Sequence, residues 1–133
     1  MDKFEILWKQ YETHINLYKF YLEIIIKVNI FHFAISGAIF SFYFANRAMS
    51  GMVWSLALPA LISISLALLF TFGIYANRVS RMDLFDLRDQ LGLKVAPELL
   101  VLSVLLGIFA VANLLVFIGG IYTIYSDLSQ SIV

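Results

Sequence analysis

The sequence contains no cysteine, only two prolines and only two histidines. The absence of cysteine excludes disulfide bonds, thiolate metal sites and thiol catalysis. The two histidines, His14 and His32, lie 18 residues apart. Because this separation is about 27 Å along a helix, the two rings cannot ligate one haem or metal within a single chain. We therefore expect no metal and no cofactor.

Charged residues are scarce, at 14% of the chain, where soluble proteins carry about 25%. The formal net charge is zero, so nothing in the balance favours a nucleic acid or another polyanion as partner. The sequence has no glycine-rich phosphate loop, no nucleophile elbow and no HExxH zinc motif, and those are the motifs that would indicate an active site. It predicts a non-enzymatic protein.

Apolar residues are abundant instead and make up 62% of the chain, well above the roughly 45–50% of soluble proteins. Residues 28–46, 48–77 and 99–126 form three stretches without Asp, Glu, Lys or Arg. Each is long enough to cross a hydrocarbon core of about 30 Å as a helix, which takes about 20 residues. The sequence therefore predicts an all-α membrane protein with one domain and three transmembrane helices.

The same pattern divides the chain into six segments. They are a cytoplasmic amphipathic helix (1–27), a first span (28–46), a second span (53–77), a cytoplasmic amphipathic loop helix (78–96), a third span (98–125) and an outward tail (126–133).

The basic residues predict the orientation. Eight Lys or Arg residues flank the spans on one side, and Arg47 is alone on the other. Cytoplasmic loops carry the excess of Lys and Arg. We expect a multi-pass protein of the bacterial inner membrane with its N-terminus in the cytoplasm and its C-terminus outside.

The segment before the first span has the rhythm of a coiled-coil seam, with apolar residues alternately three and four positions apart. The sequence has no proline or glycine before Gly37, which favours one continuous helix standing upright as a stalk. An amphipathic helix lying flat in the headgroups is the alternative. The seam consists of Phe4, Trp8, Tyr11, Ile15, Tyr18, Leu22 and Ile25, and Trp8, Tyr11, Ile15, Tyr18 and Leu22 are its candidates for packing or oligomer contacts.

The segment 78–96 also has an apolar arc, formed by Leu84, Leu87, Leu91 and Val95. Pro97 and Glu98 suit the first turn of the helix that follows. We expect this short helix to dock on the stalk or on the membrane surface. Its acidic row is a candidate docking site for a basic partner, but a solvated face is the favoured interpretation. The row consists of Asp83, Asp86 and Asp89.

Small residues recur along each span, and small residues let helices approach closely in lipid. Ser63, Ala67 and Gly107 are packing candidates of the second and third spans. We expect these stripes to make contacts within the three-helix bundle first and between subunits second. The stripe of the first span consists of Ala34, Ala38, Ser41 and Ala45.

Polar residues at membrane depth are costly and mark sites of interest. Glu23 and Lys27 are predicted to pair at the inner edge of the first span. Deeper in that span, Asn29, His32 and Ser36 share one helix face. They are candidates to line a water-filled path between subunits, or else to hydrogen-bond a neighbouring helix such as the one carrying Asn113.

The run from Tyr11 to Tyr21, YETHINLYKFY, continues unbroken into an apolar span containing Asn29. In this respect the chain resembles small bacterial multi-span membrane proteins of the kind found as membrane effectors of anti-phage defence systems. The resemblance implies a homo-oligomeric pore or ion channel in the lipid bilayer. The alternative is a membrane anchor or assembly subunit for a separate cytoplasmic protein.

Overall fold

The computed structural model describes residues 2–94 and 99–131, and this part of the chain contains three long helices and no strand. Helix α1 is Lys3–Ala45, α2 is Ala57–Leu91 and α3 is Leu100–Ser131, and a short 3-10 helix, Met52–Leu56, precedes α2. All three long helices have the length and apolar composition needed to cross a membrane. The predicted all-helical class and the three candidate spans are confirmed.

Helix α1 is continuous over 43 residues. It therefore measures about 64 Å at a rise of about 1.5 Å per residue, roughly twice the thickness of a hydrocarbon core. A straight membrane crossing would use only about half of this length. The first segment and the first span are thus one rod, as the absence of helix breakers predicts.

The segment beginning at Arg78 is not a separate loop helix, because α2 runs without a break to Leu91. No proline or glycine lies between Ile74 and Leu91, so nothing in the sequence interrupts the backbone hydrogen bonds. Val95, Pro97 and Glu98 lie outside the described residues. The predicted outward tail is likewise helical as far as Ser131, the last residue of α3.

Two glycines with left-handed backbone lie in the connections between the helices. Gly51 has φ of 78° ahead of the 3-10 helix, and Gly92 has φ of 68° directly after α2. Such left-handed backbone is strained for residues with a Cβ. These two positions therefore fix where the turn after α1 ends and where α2 stops.

The helices form an up-down-up bundle in which α2 and α3 pack along each other, while α1 packs mainly on α2. We call the end with the N-terminus and Arg78 the basic end, and the opposite end the Arg47 end. The buried apolar residues fall into three clusters: Tyr11, Leu84, Leu87 and Leu99 at the basic end; Phe70, Leu102 and Leu106 in the middle; Tyr43, Val53 and Leu56 at the Arg47 end.

Most of the apolar seam of the stalk packs against other helices of the same chain. Tyr11 is buried against Leu84 and Leu87, and Ile15 and Tyr18 pack beside them. Leu22 joins the middle cluster. Phe4 and Trp8 are exposed near the start of α1, so the packing or oligomer contact predicted for Trp8 stays a prediction.

Candidate functional site

Polar side chains join α1 to α3 in the centre of the bundle. The amide nitrogen of Asn113 donates to Oδ1 of Asn29 over 2.9 Å, and neither residue is exposed to solvent. Each amide also donates to the carbonyl four residues earlier in its own helix, at Ile25 and Phe109. The pair thus connects two helices at a fully buried position, where a lost hydrogen bond is costly to replace.

A second polar contact joins α1 to α2. Nε2 of His32 lies 2.7 Å from the hydroxyl oxygen of Ser63. The hydroxyl of Ser36 lies 3.4 Å from Nδ1 of the same ring. All three residues are buried, so His32 is held between helices of one chain.

These contacts show where the predicted polar stripe lies. Asn29, His32 and Ser36 share one face, and that face is turned towards α2 and α3 of the same chain. The hydrogen bond to the helix carrying Asn113, one of the two sequence interpretations, is present. A role of these residues in lining a path between subunits stays a prediction. It would require side chains that already form hydrogen bonds within the single chain.

Two further polar contacts hold the ends of the bundle. Asn77 donates to the carbonyl of Leu99 over 3.0 Å and to the hydroxyl of Ser103 over 2.7 Å. At the Arg47 end, the hydroxyl of Tyr43 donates to Asp127 over 3.0 Å. Sequence reasoning missed both contacts, although Asn77 closes the second apolar stretch and was visible there as an isolated amide.

The packing candidates of α2 are buried in the bundle, and Gly107 of α3 is partly buried. Ser63 is fully buried and Ala67 nearly so. A Cβ added at Gly107 would reach the side chain of Ile74 on α2. These small residues therefore allow α2 to approach both of its neighbours.

The small residues of α1 face away from the other helices, which corrects the expectation that they make contacts within the bundle. The buried face of α1 is set by Asn29, His32 and Tyr43, and the small stripe lies on the other side of the helix. We name this exposed surface the α1 outer face; it consists of Lys19, Glu23, Lys27, Ala34, Ala38, Ser41 and Ala45, all exposed.

The charged half of the α1 outer face contains an ion pair. The ammonium of Lys27 donates to the carboxylate of Glu23, four residues earlier, as predicted. The side chains are 71% and 64% exposed, respectively. The ion pair is therefore not part of the buried interior of the bundle, and both charged groups remain accessible to another molecule.

This ion pair lies at a level where the rest of the bundle surface is apolar. Residues 19–27 of α1 flank the middle cluster, which contains Phe70, Leu102 and Leu106. Around this level the other exposed large side chains are apolar or aromatic: Phe20, Tyr21 and Ile24 on α1, Leu69 and Phe72 on α2, and Val104 and Ile108 on α3. One charged strip thus interrupts a surface otherwise suited to lipid.

The predicted docking residues Asp83, Asp86 and Asp89 are exposed on α2. Asp89 pairs with the adjacent Arg88, whose guanidinium also lies over the ring of Phe85. In the described part of the chain, no group of three His, Asp or Glu residues is placed to hold a metal ion. The acidic row is therefore a surface feature of the basic end.

In the described residues the fold is all-helical, with three helices long and apolar enough to cross a membrane, and it is compatible with a multi-pass membrane protein whose helices are joined by buried polar contacts. Comparison with protein-family models, with curated proteins and with solved structures gives no match to this chain.

Proposed function

We propose that the chain is a subunit of a non-enzymatic, homo-oligomeric membrane pore in which the α1 outer face is turned towards the axis. The observation that carries this proposal is the exposed Glu23–Lys27 pair at a level of otherwise apolar surface. Charged groups in a membrane-spanning region usually face a bundle interior or a water-filled cavity.

The interior of the single chain does not offer such a path. Asn29, His32 and Asn113 hydrogen-bond across the helix contacts, and apolar clusters lie above and below them. A path for ions must therefore form between subunits. The α1 outer face is the part of the described surface that brings charges to the depth of lipid.

Replacing one member of the ion pair at a time tests the pore. Rings of acidic side chains favour cations and rings of basic side chains favour anions. In planar bilayers, Lys27→Gln leaves the carboxylates and is expected to shift the reversal potential towards cation selectivity. Glu23→Gln leaves the ammonium groups and is expected to shift it the other way.

Glu5→Gln is the matched control, because it removes the same charge from an exposed position near the tip of α1. It should leave the selectivity unchanged. Shifts of the same sign in Glu23→Gln and Lys27→Gln would reject the axial position of the pair. A strict monomer in lipid nanodiscs, measured by native mass spectrometry, would reject the homo-oligomer itself.

An anchor for a separate protein at the basic end is the second candidate, and a specific observation favours it. Phe4 and Trp8 are 56% and 44% exposed, far along α1 from the buried polar interior. Phe4 borders an open groove of about 270 Å³ together with Lys3, Leu7 and Gln90. Large exposed aromatic side chains outside the membrane are characteristic of contact surfaces for proteins.

A partner that co-purifies at a fixed stoichiometry would favour the anchor, provided that the double variant Phe4→Ser, Trp8→Ser loses it. An exposed pair on the lipid-facing side, Leu115→Ser and Val111→Ser, is the control for general loss of folding. Retention of the partner by the Phe4, Trp8 variant would contradict docking at the tip.

A further inference from the structure

An open pocket lies at the Arg47 end, between the last turn of α3 and the connection that joins α1 to α2. Its volume is about 490 Å³, and both Arg47 and Asp127 line it. The other lining residues carry no charge. The pocket therefore presents one cation and one anion within a small volume.

The carboxylate of Asp127 is held from inside the bundle. Its Oδ1 accepts a hydrogen bond from the hydroxyl of Tyr43 over 3.0 Å, and Tyr43 is fully buried. The side chain of Asp127 nevertheless keeps 25% of its surface exposed. An anion is thus fixed at the wall of the pocket without being covered.

The contact with Asp127 does not saturate the hydrogen-bond donors of Arg47. Nη2 of Arg47 lies 4.0 Å from Oδ1 of Asp127, whereas the atoms of a hydrogen-bonded ion pair are about 2.7–2.9 Å apart. The Arg47 side chain is 50% exposed. Because arginine presents five donors in a planar fork that matches the oxygens of a phosphate group, Arg47 can bind a phosphate while Asp127 binds a cation beside it.

The two charges also mark the ends of the apolar stretches. Arg47 separates the charge-free stretches 28–46 and 48–77, and Asp127 directly follows the third, 99–126. A bilayer crossed by these stretches would have its headgroups at the level of the pocket. Phospholipid headgroups are therefore the phosphate groups that this pocket would meet at the highest local concentration.

The rim of the pocket suits a lipid better than a small soluble molecule. Met49 and Trp54 line the pocket, and both side chains are exposed. Tryptophan is enriched at the interface between membrane and water. These side chains offer apolar contacts directly beside the charges.

We infer that the pocket binds the headgroup of a phospholipid that carries a primary ammonium, as phosphatidylethanolamine does. The phosphate pairs with Arg47, the ammonium pairs with Asp127, and the glycerol end of the lipid lies against Met49 and Trp54. A choline headgroup has no N–H to donate to Asp127, and the anionic phosphatidylglycerol has no cation to offset that carboxylate. This inference goes beyond the proposed pore, because it needs a single chain and no ion flux.

Native mass spectrometry of the full chain, with lipids of identical acyl chains added one at a time, measures the affinity for each headgroup. The wild type is expected to bind phosphatidylethanolamine about tenfold more tightly than phosphatidylcholine or phosphatidylglycerol, because one hydrogen bond between charged groups changes affinity by about that factor. Equal affinities for the three lipids, or a preference for phosphatidylglycerol, would overturn the inference.

Two conservative variants test the role of each charge. Asp127→Asn still offers an oxygen to Tyr43 and is expected to lose the preference for ethanolamine over choline. Arg47→Gln is expected to weaken both lipids about tenfold, because both carry the phosphate. Asp86→Asn and Arg78→Gln remove the same charges from exposed positions at the basic end, and these matched controls should change neither affinity. An Asp127→Asn variant that keeps the preference would also overturn the inference.

Soluble phosphoethanolamine separates the lipid from a free molecule with the same charged groups. It lacks the glycerol and the acyl chains, so Met49 and Trp54 gain no contact from it. It is therefore expected to bind much more weakly than the lipid in the same measurement. An affinity equal to that of the lipid would reject a lipid as the occupant of the pocket.

Discussion

The hydrogen bond between Asn29 and Asn113 gives the clearest quantitative prediction. Leucine has nearly the shape of asparagine but cannot hydrogen-bond, so Asn113→Leu leaves Oδ1 of Asn29 without its donor in the bundle interior. The Asn29 amide keeps its own bond to the carbonyl of Ile25, and therefore only one interhelical bond is lost. In membrane proteins such bonds contribute about 0.6 kcal/mol on average and up to about 1.7 kcal/mol.

A double-mutant cycle isolates this term from changes in packing. Asn29→Leu and Asn113→Leu should each lower the free energy of unfolding, and the double variant should lose about 1 kcal/mol less than the sum of the two single losses. Unfolding in mixed micelles, followed by circular dichroism, measures all four proteins. Asn16→Leu, at an exposed position of α1, is the control for the chemical change itself.

Strict additivity would refute the claim that the two amides stabilise the bundle through each other. The same variants separate the two sequence interpretations of the polar stripe. If Asn29 acts inside its own chain, Asn29→Leu should change stability and leave the ion selectivity of the reconstituted protein unchanged. A change of selectivity without a change of stability would instead favour the lining role.

Three further substitutions are expected to change stability in directions that the structure sets. A Cβ at Gly120 would lie 3.3 Å from Cβ of Ala60, whereas one at Gly119 would meet nothing within 4 Å in the described chain. Gly120→Val should therefore lower the free energy of unfolding by about 1–3 kcal/mol. Gly119→Val is the control and should leave it nearly unchanged. Asn77→Ala removes one hydrogen bond to Leu99, just before α3, and one to Ser103 in α3, and should cost about 1–2 kcal/mol in the same assay. Ser63→Ala should lower the melting temperature in detergent, because it removes the buried partner of the His32 ring, whereas Ser65→Ala, whose hydroxyl bonds only within its own helix, should not.

The helical class and the three apolar helices were predictable because composition and run length alone determine them. The same is true of the unbroken α1, since no breaker precedes Gly37. The end of the second helix was not predictable from charge, because Arg78 ends the apolar stretch but does not end the helix. A charged residue such as Arg78 indicates where the surroundings of the helix change from apolar to polar. The hydrogen bonds of the helix backbone end only where the backbone conformation changes, as at the left-handed Gly92.

The candidate site was predictable as a set of residues but not as an arrangement. Sequence placed Asn29, His32 and Ser36 on one face, and the structure keeps them together. Whether that face turns inwards or outwards depends on where α2 lies, and the periodicity of α1 alone does not contain that information. Two opposite faces of α1, one polar and one composed of small residues, each had the features of a contact surface, and packing against Ser63 selected the polar one.

The unbroken α2 has a mechanical consequence. It spans 35 residues, or about 52 Å, and contacts α1 near both ends: at Tyr11 through Leu84, and at His32 through Ser63. Because α2 is one continuous helix between these two contacts, we expect a displacement at the basic end to pass along it towards the Arg47 end. We therefore expect a molecule that binds near Leu84 to change the packing around His32 through this helix.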